Sequence, residues 1–326
     1  MNLNSVSIVG LEKNTGKTET INYLLKTINK RVGITSIGLD GEPIDQLTSM
    51  PKPHIEIVKG TIFATAEKYY KLKRFHSEIL SVDDDLRTPL GRIVVSNALE
   101  KGEVILAGPQ KSKDIKTLID KMLKLGVQIV LIDGALSRLA PASPVITDAM
   151  ILATGAAVSL NTDELVKKTK FVTDLIQLER ENNSELENLT GGIYALGEST
   201  IKLPIKSLLS FEESDKPILD YGKKFYICGA LGESFLNYLC KEKNLNELEL
   251  IINDFTKIFV KPETYYKFIQ KGGKIKVLHS TKLLAITINP ISPYGYTMDS
   301  DEIINRLKEV INIPIINVRE GQSWMI

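Results

Sequence analysis

Val6-Ser7-Ile8-Val9-Gly10-Leu11-Glu12-Lys13-Asn14-Thr15-Gly16-Lys17-Thr18 decides how this chain is read. Val6 to Gly10 is a short β-favouring run. From Thr18 onward Ile21, Leu24, Leu25 and Ile28 recur at helical spacing. A strand, a turn ending in Gly-Lys-Thr and a helix in direct succession is the setting of a phosphate-binding loop, in which backbone N–H groups and a helix N-terminus form a concave anion site. Lys17 then reaches the β- and γ-phosphates, and the Thr18 hydroxyl sits on Mg²⁺.

The spacing departs from the usual form of such a loop. Four residues normally separate the first glycine from the Gly-Lys pair, whereas five lie between Gly10 and Gly16, and Leu11 occupies the expected glycine position. The turn either bulges by one residue or uses Asn14 where others use glycine, since Asn tolerates left-handed backbone angles. Lys13, Asn14, Thr15, Gly16, Lys17, Thr18 and Glu19 form the candidate nucleotide-binding set. Lys13 either leans onto phosphates or faces solvent. Glu19 has a simpler use as a first-turn acid favoured by the helix dipole.

The second half of such a site is a carboxylate at the end of a buried strand. Val127-Gln128-Ile129-Val130-Leu131-Ile132-Asp133-Gly134 is a nearly continuous apolar run, as expected for a strand covered on both faces of a parallel sheet. Asp133 at its end is the expected Mg²⁺ ligand and catalytic carboxylate; a capping Asp in the turn is the plainer alternative. Asp40 is a second catalytic and metal candidate. It closes the second strand, which in one branch of P-loop proteins lies beside the first, and a turn-forming Asp before Gly41 serves equally well. Glu42 shares that ambiguity. Arg87, Arg92 and Arg138 fall near expected strand ends, where ligands of open α/β sheets bind.

Alternation of strands and helices organises the rest. The first helix is expected to end at Gly33, and Ile34–Leu39 to form the second strand. Ile55–Val58 reads as a short strand, and residues 60–66 as a small-residue turn entering a helix. Arg92–Ser96 and Glu103–Ala107 read as neighbouring strands, followed by a helix over 113–125, a strand over 149–154 and a helix over 162–179. This is a doubly wound α/β domain with a mostly parallel sheet. The polar stretch Glu179–Glu185 is taken as a boundary, so residues 1–180 form the P-loop domain. Residues 190–326 form a second α/β domain for client or substrate recognition, with strands at 225–228, 249–252, 274–278, 283–288 and 313–318 and helices at 233–239, 262–270 and 299–310. Gly229-Ala230-Leu231-Gly232-Glu233-Ser234 joins a strand to a helix there; it could cradle an anion at the helix N-terminus, and a tight turn is the plainer reading because the full dinucleotide fingerprint is missing. Asn289-Pro290-Ile291-Ser292-Pro293-Tyr294-Gly295-Tyr296 reads as a rigid loop whose residues either pack the loop itself or present a partner or ligand surface.

Composition narrows the classes. The chain's 326 residues bury roughly 75% of the extended surface, so no stapling is required. With 41 basic and 40 acidic residues it lacks the excess of a general nucleic-acid binder. Cys228 and Cys240 have neither a disulfide framework nor metal-ligand spacing, which fits a reduced cytoplasmic setting. There is no signal-like N-terminus and no apolar run long enough to cross a bilayer. Three histidines make histidine-pair chemistry a poor prospect.

Gly16-Lys17-Thr18 with the later Val130-Leu131-Ile132-Asp133-Gly134-Ala135 resembles the P-loop branch that includes dethiobiotin synthetase, cobyric-acid-type amidoligases, the molybdopterin-guanine-dinucleotide protein MobB and the metallochaperone GTPases. Members usually show an acid-Gly pair after that strand. The resemblance spans about residues 4–160 and departs at the displaced first glycine. An Asn-Lys-x-Asp guanine motif is also missing: Thr281-Lys282-Leu283-Leu284 lacks the acid, so ATP with Mg²⁺ is the expected cofactor. The whole chain, through Val6–Thr18, Thr35–Glu42 and Asn289–Tyr296, is similar to proteins encoded beside adenosylcobalamin-dependent lysine 5,6-aminomutase in amino-acid-fermenting bacteria. That similarity implies a subunit of a reactivating factor whose client is the aminomutase and which acts with a MutS-like ATPase; it leaves room for a homodimer. A carboxylate-activating enzyme of the dethiobiotin synthetase or amidoligase kind, or a small-molecule kinase, is the alternative reading.

Overall fold

A computed structural model describes residues 3–38, 55–135, 146–205, 208–209, 211 and 218–320. Asp40, Glu42, His54 and Arg138 lie outside the described residues. The chain divides into two compact units, residues 1–170 with 282–326, and residues 171–281.

The first unit is an α/β assembly. In chain order it holds β1 (Ser5–Gly10), α1 (Lys17–Thr27), β2 (Val32–Ser36), β3 (Ile55–Ile57), β4 (Ile62–Ala66), α2 (Glu67–Leu72), β5 (Ser77–Thr88), β6 (Gly91–Ala98), β7 (Gly102–Val104), α3 (Ser112–Lys124), β8 (Ile129–Ala135), β9 (Ala149–Gly155) and the start of α4 (Thr162–Ile176). After the second unit it resumes with β17 (Lys282–Asn289), α7 (Ser300–Lys308) and β18 (Ile315–Asn317). Nine strands form one sheet in the order β18-β17-β9-β1-β8-β2-β4-β6-β5. The pairings from β18 to β4 are all parallel, and β6 and β5 add an antiparallel hairpin at one edge.

Burial on both faces explains the apolar strands. Val6, Ile8, Ile34, Ile129 and Leu131 pack with Ile21, Leu24 and Leu25 of α1. The alternate residues Ile62, Ala64, Val130 and Ile132 pack with Ile115, Leu118, Ile119 and Met122 of α3. Helices thus cover opposite faces, as period-two alternation in a buried strand requires.

Several boundaries differ from the sequence reading. Gly33 does not end a helix: it lies inside β2, where an added Cβ would meet Met122 Cε at 2.7 Å and Val127 Cγ1 at 2.9 Å. Its smallness serves close sheet–helix packing. Residues 62–66 are not a turn but β4, buried throughout, which Thr35 Oγ1 helps to hold by donating to Ala64 O. β7 pairs antiparallel with β3 in a separate ribbon rather than neighbouring β6. β5 has no apolar periodicity because it is an edge strand with one buried acid, Asp83, bonded by Lys121 and by the N–H groups of Leu86 and Asp85.

The expected second domain also needs correction. β17 pairs with β9, and β18 with β17, so the segment after residue 281 belongs to the first unit. Nor is the polar stretch after Glu179 a linker: Glu181 N donates to Val277 O, and Val277 N to Glu179 O.

The second unit holds β10 (Ile193–Leu196), β11 (Thr200–Lys202), β12 (Lys224–Ile227), β13 (Leu231–Gly232), α5 (Glu233–Leu239), β14 (Glu249–Ile252), β15 (Ile258–Phe259), α6 (Pro262–Gln270) and β16 (Lys274–Val277). Its five-stranded sheet has the order β11-β10-β12-β14-β16, with the last three strands parallel. Glu249 joins Lys224 at 2.9 Å and Lys276 at 3.1 Å across those strands. Among the described residues no helix is long and apolar enough to cross a membrane.

Candidate functional site

The β1–α1 turn is built by two residues in the left-handed backbone region. Asn14 has φ 62° and Gly16 φ 92°. Asn14 thus holds a backbone angle that glycine adopts most readily and that Asn tolerates better than most residues. The turn also folds back over its own start. A Cβ on Gly10 would lie 2.4 Å from Thr15 Oγ1 and 2.9 Å from Glu12 O. Thr15 is buried and its hydroxyl donates to Glu12 O at 2.9 Å, so this side chain closes the turn. Lys13 and Asn14 are exposed. Gly16 caps α1 without a side-chain bond to the helix N-terminus.

Strand order brings the second half of the site alongside. β8 is the direct neighbour of β1, with Ile8 opposite Asp133 and Gly10 opposite Ala135. Lys17 Nζ donates to Gly134 O at 2.7 Å and lies 3.4 Å from Asp133 Oδ1. Lys17 and Asp133, 116 positions apart in the chain, meet at the carboxyl edge of the parallel sheet. Ligands of open α/β sheets gather at this edge, where the connections diverge to opposite sides. Here α1 leads from β1 toward β2, while β9 continues on the other side of β1. Because β8 stands between β1 and β2, the expectation that the second strand lies beside the first is corrected, and Asp133 occupies the adjacent position instead.

Thr18 is half-buried in the first turn of α1. Glu19 is held by Arg319, whose Nη2 donates to Glu19 Oε1 at 2.9 Å. That bond, with the dipole, accounts for Glu19. Among the described residues there is no group of three His, Cys, Asp or Glu side chains suited to hold a metal ion. Asp133 and Thr18 offer one carboxylate and one hydroxyl, the oxygen donor types that Mg²⁺ takes in small number beside waters and phosphate oxygens.

Three residues of the site were not singled out for it in the sequence. Asn289, at the end of β17, donates from Nδ2 to Asn14 O at 3.3 Å. A Cβ on Gly16 would come within 2.8 Å of the Asn289 Cβ, so Gly16 is needed for this packing as well as for its φ. Thr287 bonds Thr20 of α1 through hydroxyls 2.8 Å apart. Gly155, with φ 150°, lets β9 pass Asn289 O, where a Cβ would sit 1.9 Å away. Asn289 did carry a signal, as the first residue of the Pro- and Tyr-containing loop, but nothing local tied it to a turn 275 residues earlier.

Other candidates fall elsewhere. Arg92 pairs with Glu67 at 3.4 Å and Asp84 at 3.2 Å on the edge hairpin, and Arg87 Nε donates to Asp84 O. The glycine-rich turn of the second unit is occupied by its own structure. Leu231 and Gly232 pair with Ile258 and Phe259, and Glu233 accepts bonds from Lys261 N and Thr264 Oγ1. It is the tight strand-to-helix turn the sequence suggests. Cys228 and Cys240 are both free thiols, and burial pushes each thiol pKa up, which makes them poor nucleophiles. His76 bonds the exposed Glu100. Comparison with protein-family models, curated proteins and solved structures finds no match to this chain.

Proposed function

We propose that this chain is a P-loop ATPase that binds Mg·ATP at the β1–α1 turn and acts as a reactivating factor for an adenosylcobalamin-dependent aminomutase of the lysine 5,6-aminomutase type, together with a MutS-like ATPase. One observation carries the nucleotide half: a turn held open by left-handed Asn14 and Gly16 brings Lys17 to within 3.4 Å of Asp133. The client half, and the cytoplasmic setting that goes with it, rest on the resemblance of the sequence.

The residues divide the work by chemistry. Backbone N–H groups of residues 14–18 would face the phosphates at the uncapped start of α1. Lys17 would exchange Gly134 O for phosphate oxygens and bring a full positive charge to them. Thr18 and Asp133 would hold Mg²⁺, which when bound neutralises charge developing on the γ-phosphate. Gly10 keeps the floor of the turn free of a side chain.

The Lys17→Ala variant is expected to lose Mg·ATP affinity by at least about a hundredfold, since charge-assisted bonds to phosphate contribute about 1.5–3 kcal/mol each. Unchanged affinity by calorimetry would overturn the nucleotide reading. Asp133→Asn is expected to keep the wild-type melting temperature and to hydrolyse ATP at least about tenfold more slowly, a barrier change of about 1.4 kcal/mol; wild-type turnover removes Asp133 from the metal site. The client half is tested by adding the protein, ATP and the MutS-like partner to inactivated aminomutase. Recovered activity supports it. Turnover that instead requires a small carboxylate substrate would make the chain a carboxylate-activating enzyme.

A further inference from the structure

We propose that the Tyr294–Gly295–Tyr296 turn is the platform on which the base of the nucleotide stacks. This rests on the phosphate-site reading above and extends it from the phosphates to the other end of the ligand. Three features of the first unit carry it.

The first is continuity with the phosphate turn. The turn grows directly from Asn289, which donates to Asn14 O and packs on Gly16. Tyr294 stands five positions after Asn289, so at ~3.3 Å per residue its backbone lies no more than about 17 Å from the brace. A sugar and base extending from phosphates bound at the β1–α1 turn would span a distance of that order.

The second is rigidity. Ile291 and Thr297 form an antiparallel bridge, Ser292 N donates to Tyr296 O at 2.7 Å, Gly295 N to Ser292 O at 3.0 Å, and Met298 N to Pro290 O at 2.9 Å. Pro290 and Pro293 fix two further backbone angles. Rings presented this way lose little conformational entropy when a ligand docks.

The third is exposure. Tyr294 is 78% and Tyr296 63% exposed, the highest values among the large hydrophobic side chains described. Surface aromatics on a pre-formed turn suit stacking, because every base offers a π-face. Stacking also tolerates base identity, so ATP and GTP are expected to bind with similar affinity.

The full chain is titrated with Mg·ATP and with Mg·tripolyphosphate by calorimetry, as wild type, as Tyr294→Ala/Tyr296→Ala and as Tyr294→Phe/Tyr296→Phe. The alanine pair is expected to weaken ATP binding at least about tenfold and leave tripolyphosphate binding unchanged, while the phenylalanine pair keeps both. Unchanged ATP affinity in the alanine pair overturns the proposal and leaves the tyrosines to a protein partner. A parallel fall for ATP and tripolyphosphate also overturns it, because the turn would then support the phosphate loop rather than the base. Wild-type protein that binds tripolyphosphate as tightly as ATP sinks the stacking alone; wild type that binds neither sinks the phosphate reading with it.

Discussion

The chain contains two glycine-bearing strand-to-helix turns that look alike in one dimension and differ in kind. In the first unit, residues 10–16 join β1 to an eleven-residue helix through two left-handed residues, and the helix starts without a side-chain cap. In the second unit, residues 228–232 join β12 to a seven-residue helix, and the last two of them, Leu231 and Gly232, pair with β15. Glu233 then spends its carboxylate on Lys261 N, Thr264 Oγ1 and Asn237 Nδ2. Glycines between a strand and a helix therefore do not by themselves set the character of the turn, and an anion site of the kind proposed for the first turn asks for more. It needs backbone donors turned outward by positive φ and kept from internal partners.

Glycine substitutions test this difference most directly. Gly10→Ala places a Cβ 2.4 Å from Thr15 Oγ1 and 2.9 Å from the backbone oxygen of Glu12, whereas a Cβ on Gly229 meets nothing within 4 Å. Gly10→Ala is expected to lose about 2–3 kcal/mol of stability by denaturant titration, along with nucleotide affinity, and Gly229→Ala to stay within about 0.5 kcal/mol of wild type. Equal effects would erase the distinction between the turns. Glu233→Ala should cost about 1–2 kcal/mol through its lost hydrogen bonds. The loss should be seen as faster amide exchange in residues 233–264, with Mg·ATP affinity unchanged; a change in affinity would mean that the second turn takes part in the ligand site. The smallest effect belongs to Asn14→Gly, which keeps φ 62° accessible. Its ATP affinity and melting temperature should stay close to wild type, with stability within about 0.5 kcal/mol, while Asn14→Val, β-branched in the same conformation, should lose about 1–2 kcal/mol. A harmful glycine here would show that the Asn side chain, rather than its backbone angles, shapes the turn.

Local signals carried much of the fold. Glu233–Leu239, Glu249–Ile252 and Pro262–Gln270 occur where periodicity and Pro at a helix start place them. Segments whose structure depends on distant partners were harder to read. β4 is rich in small residues and becomes a strand because β2 and β6 pair with it on either side. β5 is polar and has β6 as its strand partner at the sheet edge. The assignment of β17 and β18 to the first unit depends on pairings more than 120 residues apart, such as Lys282 with Ala149, and no local pattern encodes them. The site follows the same division. Asn14, Gly16, Lys17 and Asp133 announce themselves by type and spacing. Asn289, Thr287 and Gly155 act through close approach, and close approach leaves little trace in residue type.

The bond from Asn289 to Asn14 also sets a schedule. Its partners are 275 residues apart, so at about 5–20 residues per second a ribosome needs roughly 15–55 s between making the turn and making its brace. During that interval the nascent chain carries Gly-Lys-Thr without β17 beside it, while all of residues 171–281 emerges. The braced form of the β1–α1 turn is thus among the last features of the first unit to mature, although the turn itself is among the first residues translated. A chain released before Asn289 would display the signature of the site but lack the support that holds its turn open.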